Sequence, residues 1–204
     1  MKIIKHLSIT FLLFSVCELS AQRDSTETVD IDYPVRKLTI EPAIGVNLWP
    51  MSDMLISNLV QWNINRRLSI LSFSSVSYNN AFLREFNHIK TNYNYSISQK
   101  FGIGVSLYTE NTSHMFSFIA GIKYDAFKET LENPEFENVS ASVNSVSPDL
   151  GLLYNLKVGK ENFFYNFRTY IPLYPYPTKS LDIWSIQGNL SNLSLEFGVG
   201  ICLE

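Results

Sequence analysis

Lys37-Leu38-Thr39-Ile40-Glu41-Pro42-Ala43-Ile44-Gly45-Val46-Asn47-Leu48 is the stretch that decides how this chain is read. Every even position is apolar, while the odd positions hold Lys, Thr, Glu, Ala, Gly and Asn. Successive side chains of a β-strand leave opposite sides of the pleat, so a sustained period of two marks a strand with one apolar face.

The same alternation recurs over Ile89–Ser98, Phe101–Thr109, Phe116–Tyr124, Leu150–Val158, Phe163–Leu173 and Leu193–Leu203. The chemistry of the second face then separates two architectures. A water-soluble sandwich would carry many Lys and Glu outward. Here the second face is mostly Gly, Ser, Asn and Thr with a few charges, which suits a narrow enclosed lumen, and the face rich in Leu, Ile, Val, Phe and Tyr suits lipid. Strands of about 10–12 residues are long enough for a tilted crossing of the hydrocarbon layer. The expected fold class is therefore all-β, an antiparallel transmembrane β-barrel.

Turns are expected at Asn65-Arg66-Arg67, Gln99-Lys100 and Gly159-Lys160-Glu161-Asn162. Their spacing fits hairpin units of about 30 residues and gives about ten strands. That count includes weaker strands near residues 56–64 and 136–146 and a turn near Glu132-Asn133-Pro134; with those two strands read as loops, about eight remain. In the ten-strand reading these turns face the periplasm, and residues 49–56, 79–87, 111–113, 144–149 and 174–190 form the outer rim. Trp49, Trp62, Tyr78, Tyr124, Tyr174 and Tyr176 fall near strand ends, where aromatic girdles sit.

The N-terminus explains how such a chain reaches a membrane outside the cytoplasm. Lys2 and Lys5 precede an apolar run from Leu7 to Val16, and Leu19-Ser20-Ala21 before Gln22 supplies a small-residue cleavage site. The run is far shorter than the roughly 20 residues of a spanning helix, so a cleaved signal peptide over residues 1–21 is expected. Cys17 follows Phe14-Ser15-Val16, a poor match to a lipoprotein signal. Residues 22–35 begin with the polar, acidic run QRDSTETVDID and read as a flexible tail. The barrel is expected over residues 36–204.

Composition excludes several functions. The 204 residues are 46% hydrophobic and 14% aromatic but only 17% charged, with a net charge of -3 that becomes -4 once Lys2, Lys5 and Glu18 leave. No basic stripe or aromatic-plus-Arg motif points to nucleic acid. Cleavage would leave Cys202 as the one cysteine and His88 and His114 as the histidines, with neither an internal disulfide nor metal-ligand spacing.

The signal ending Ser20-Ala21-Gln22, the phrase Gln99-Lys100-Phe101-Gly102-Ile103-Gly104-Val105 and the closing Leu195-Glu196-Phe197-Gly198-Val199-Gly200 resemble the small outer-membrane β-barrel proteins of Bacteroidota-type Gram-negative bacteria. The resemblance spans roughly residues 36–204 as a pattern, and it implies the cell outer membrane and a barrel architecture. The chain departs from it by ending Cys202-Leu203-Glu204, where such barrels commonly end on an aromatic residue.

By parity the lumen is expected to hold Lys37, Glu41, Glu110, Lys123, Lys157, Arg168 and Glu196. Rings of charge can make a selective path. In a barrel only just wide enough for its own side chains, mutually satisfied ion pairs are favoured instead. Ser113, His114 and Glu110 form the only triad-like local cluster, expected near the outer rim. Adjacent strand residues point to opposite faces, so the cluster reads as a polar loop and not a catalytic site. The Asn-x-Ser/Thr matches at Asn94, Asn111, Asn138, Asn189 and Asn192 lose their usual meaning behind a bacterial signal. Tyr174-Pro175-Tyr176-Pro177 reads as a stiffened strand end or an exposed epitope.

Together these readings describe a non-enzymatic integral outer-membrane barrel with a structural or surface-interaction role and a lumen closed by polar side chains. A lipid-modifying enzyme and a narrow channel are the alternatives. No catalytic, cofactor-binding or metal-binding residue is assigned. The expected partners are outer-membrane lipid and a protein contacted through the extracellular loops.

Overall fold

A computed structural model describes residues 37–48, 53–78, 85–86, 89–109, 111–131, 139–159, 162–174 and 193–203. The expected signal peptide and tail lie outside them. The strands are β1 (Leu38–Asn47), β2 (Asp53–Asn63), β3 (Leu68–Tyr78), β4 (Glu85–Phe86), β5 (Ile89–Tyr108), β6 (Thr112–Leu131), β7 (Val139–Val158), β8 (Phe163–Tyr174) and β9 (Ser194–Leu203).

Neighbours run β3-β2-β1-β9-β8-β7-β6-β5, and pairing of β3 with β5 closes the ring. All pairings are antiparallel, and β4 is a two-residue stub on the start of β5. The barrel thus has eight full strands, the lower of the two expected counts. Two expected breaks are absent: Gln99-Lys100 is no turn but sits in the middle of one 20-residue strand, and 144–149 is no loop but runs through another. Residues 56–64 do lie largely in a strand of their own, β2, whereas the strand expected near 136–146 is the first half of the 20-residue β7.

The expected alternation of faces holds around the ring. Outward stand Ile44, Ile56, Ile70, Phe101, Phe118, Leu152, Phe167 and Phe197, and inward Ala43, Leu55, Leu71, Lys100, Ile119, Leu153, Arg168 and Glu196. The apolar belt faces outward and carries no row of Lys or Glu, so the barrel spans lipid instead of standing in water. At one end Trp62, Phe163 and Tyr165 are exposed, and at the other Tyr78 and Tyr174, which together frame the belt with aromatic rings.

Tight turns gather at one end. The Asn65 side chain accepts from Arg67 N and Leu68 N, both at 2.8 Å. Thr109 N donates to Thr112 O at 2.9 Å. Gly159, at φ 129°, opens the third turn in a conformation that L side chains rarely adopt. The first and last barrel strands also begin and end here, Leu38 pairing with both Trp62 and Leu203. Residues 111–113, expected on the outer rim, therefore belong to the tight-turn end, and 144–149 are part of β7. Residues 49–52, 79–84, 132–138 and 175–192 connect strands at the opposite end and lie outside the described residues.

Phe197 is 57% exposed at the middle of β9, paired with Ile44 and Phe167, which also face outward. Phe197→Arg is expected to cost about 2–4 kcal/mol in lipid, because no partner for the charge exists in hydrocarbon. Phe197→Leu is expected to cost little, and denaturant titration of lipid-refolded protein measures both.

Candidate functional site

The lumen of an eight-stranded barrel is filled by the side chains that point into it. Four cation–carboxylate pairs are stacked there among the described residues, from the tight-turn end to the opposite rim.

Nearest the turns, Lys157 on β7 reaches across to Glu41 on β1. Lys157 Nζ also donates to Gln61 Oε1 at 2.5 Å. Glu41 is completed by Thr39 Oγ1 donating at 2.6 Å and Asn155 Nδ2 donating at 2.8 Å. One level up, Arg168 on β8 faces its register partner Glu196 on β9, with Nε 3.3 Å from Oε2. Ser57 donates to Glu196, Ser194 Oγ donates to it at 2.9 Å, and Arg168 Nη2 donates to Ser57 Oγ at 3.0 Å.

The third pair joins Lys100 on β5 to Asp149 on β7 at 2.7 Å. These residues flank β6 at Gly121, their common register partner, whose missing side chain leaves the span between them open. Tyr170 Oη donates to Asp149 Oδ1 at 2.5 Å, and Lys100 Nζ lies 4.2 Å from the Tyr170 ring centroid. At the rim, Lys123 pairs with Asp125 at 2.8 Å. Every pair sets one positive charge against one negative, so these eight groups sum to zero.

Sequence parity placed five of these groups correctly: Glu41, Lys123, Lys157, Arg168 and Glu196 all point inward and are buried. Lys37 does not join them; it is exposed in a bend before β1. Glu110 lies outside the described residues. Lys100, Asp149 and Asp125 were missed, the first because it was read as a turn, the second because it was read as outer loop, and the third because the alternation was followed only to Tyr124. The unbroken phase of Ile97, Phe101 and Ile103 on one face could have shown that β5 runs straight through.

Charge is not all that fills the lumen. Leu59, Leu71, Phe73, Met115, Ile119, Leu153 and Tyr170 form a buried apolar cluster inside it, with the Phe73 and Tyr170 rings stacked 6.3 Å apart. Close packing extends to the turn end, where a Cβ on Gly200 would sit 2.1 Å from the Phe164 ring. Toward the rim, Phe73, Lys100, Lys123, Asp149 and Tyr170 border a cavity of about 20 Å³. That volume holds about one water.

The triad-like cluster is not assembled. Ser113 is buried in the lumen, whereas His114 faces the other way, its Nδ1 2.9 Å from Tyr154 Oη and its Nε2 3.2 Å from Thr112 Oγ1. Both residues sit at the tight-turn end. Among the described residues no group of three or more His, Cys, Asp or Glu could hold a metal ion.

No family model matches the sequence, and no curated protein does. Solved structures do. A major outer membrane protein from Thermus thermophilus superimposes with a TM-score of 0.51 at 6% identity, over 81% of this chain and 99% of that one. The attachment invasion locus protein Ail of Yersinia pestis gives 0.46 at 11% identity, covering 81% and 96%. Neisserial surface protein A gives 0.47 at 12% identity, covering 81% and 94%. The likeness is one of fold: this chain has the closed antiparallel barrel of an outer-membrane protein.

Removing one member of a buried pair strands the other, a loss of about 3–5 kcal/mol, whereas an apolar replacement of both is often neutral. Lys157→Met is therefore expected to lose several kcal/mol in urea titration of the lipid-refolded barrel, and Glu41→Leu added to it is expected to restore most of the loss. Equal loss in the single and double variants would show that the pair does not govern this end of the lumen.

Proposed function

We propose that the protein is a non-enzymatic, non-conducting barrel of the cell outer membrane that presents its outer end to a partner. The observation that carries this reading is the contrast between a filled interior and a sheet that outgrows the barrel. Strands β5, β6 and β7 have 20 residues each, against 10–12 for the other barrel strands. Their pairing continues to Ile89, Leu131 and Val139, while β3 leaves β5 at Tyr95 and β8 leaves β7 at Leu150. At about 3.3 Å per residue, the excess is a three-stranded projection on the order of 25 Å long. Tyr93, Tyr95 and Tyr124 meet at its base, with centroids 6.1 and 6.2 Å apart.

Short turns of outer-membrane barrels face the periplasm and longer connections face outward, so the projection stands on the cell surface. Cleavage after Ala21 and a flexible tail over residues 22–35 belong to this proposal, as does the Bacteroidota-type relationship, which rests on the sequence phrases alone. A lipid-modifying activity draws no support from Ser113 and His114, which face opposite sides of the wall at the periplasmic end. Reconstituted in planar bilayers, the protein is expected to show no steady single-channel conductance. Steady conductance would contradict the proposal in favour of a narrow channel.

A further inference from the structure

Among the described residues the middle of the outward belt is apolar nearly everywhere, with one clustered exception. On β2 the outward residues from rim to turn are Met54, Ile56, Asn58, Val60 and Trp62; on β3 they are Tyr78, Val76, Ser74, Ser72, Ile70 and Leu68. Asn58, Ser72 and Ser74 thus occupy the middle of both strands, with apolar residues above and below. Asn58 is the direct register partner of Ser74, Ser74 of Gln99 on β5, and Asn58 also of Pro42 on β1. Gln99 in turn lies between outward-facing Ile97 and Phe101. The polar groups therefore form one patch at mid-depth in the belt.

Hydrocarbon offers such groups no hydrogen bonds, and an unmade bond there is costly. The patch meets part of its own need: Ser74 Oγ donates to Gln99 Oε1 at 2.5 Å, and Gln99 Nε2 donates to Ser72 Oγ at 3.0 Å. Asn58 Oδ1 has no partner and is itself buried, so it is not among the groups that the patch presents outward. Pro42 adds a position with no N–H, and the β1–β9 ladder skips Glu41 and Pro42 beside it. On the far side of the barrel β8 and β9 show Phe163, Tyr165, Phe167, Ile171, Phe197 and Ile201, with Thr169 standing singly.

We infer that the β2–β3–β5 face is covered in the membrane by a second copy of this chain. A two-fold axis along the membrane normal returns every group to its own depth, so mid-depth polar groups meet their own counterparts. Asn, Gln and Ser each donate and accept, which makes the patch complementary to itself. Acyl chains cannot supply that match. The inference rests on the membrane reading above, because only lipid makes an outward Asn and Gln costly.

The test is disulfide trapping in outer membranes with Ser74→Cys, in a chain whose Cys17 and Cys202 are both replaced by Ser. Leu152→Cys on β7, across the barrel, is the control. Heat-shifted migration in SDS gels first establishes that each variant is folded. Several-fold more homodimer at position 74 than at 152 is expected, and Asn58→Leu with Gln99→Leu should abolish it while the heat shift persists. Folded variants that cross-link equally at 74 and 152, or not at all, would overturn the dimer and leave the barrel reading intact. A cross-linked product that is not twice the mass of the chain would replace the second copy with a different protein. Absence of the heat shift in the unsubstituted protein would remove both readings.

Discussion

A backbone in hydrocarbon must pair every N–H and C=O within itself, and a sheet can do so only by closing. From that single constraint the rest of this structure follows. The ring is closed by β3 with β5 and by β1 with β9, which brings the two ends of the barrel chain together beside the tight turns. Closure at eight strands fixes a narrow lumen, and a narrow lumen sealed from lipid has to be filled by what the strands point inward.

The filling answers two demands together. Apolar side chains such as Leu59, Phe73 and Ile119 fill part of the interior as one buried cluster. Between them, inward charges could be tolerated only as pairs, since a lone buried ion is costly. Lys157 with Glu41, Arg168 with Glu196 and Lys100 with Asp149 meet that requirement, and each carboxylate takes further hydroxyl or amide donors. Two of these pairs tie strands that are not neighbours, β1 to β7 and β5 to β7, and so brace the ring across the lumen, while Arg168 and Glu196 join the adjacent β8 and β9.

Faces were legible in the sequence wherever one face was apolar and the other was not, as in β1, β8 and β9. Segment β2 was harder to read, because Leu55 and Leu59 point inward while Met54, Ile56 and Val60 point outward, and the period of two disappears when both faces are apolar. The higher of the two expected strand counts gave way to eight for a different reason. Polar Gln99-Lys100 looked like a turn, yet its two side chains go to opposite faces of one strand, Lys100 into the lumen toward Asp149 and Gln99 outward to Ser72 and Ser74. Partners so distant in the chain leave no local signal, and the length of β5 to β7 concealed the lower count. Parity of the charged residues was readable; which carboxylate each cation meets was not, because that depends on the register of strands far apart in sequence.

Closure itself is most exposed to test at the β1–β9 seam, where the ladder already skips Glu41 and Pro42. The direct measurement is amide hydrogen exchange of the lipid-reconstituted protein, resolved by residue along that seam. A closed barrel predicts slow exchange at the paired positions Ala43 to Asn47 and Ser194 to Gly198, comparable to that of β7 within the wall. Fast exchange at both edges of the seam, with protection retained elsewhere, would mean an open sheet and would contradict the barrel on which the rest depends.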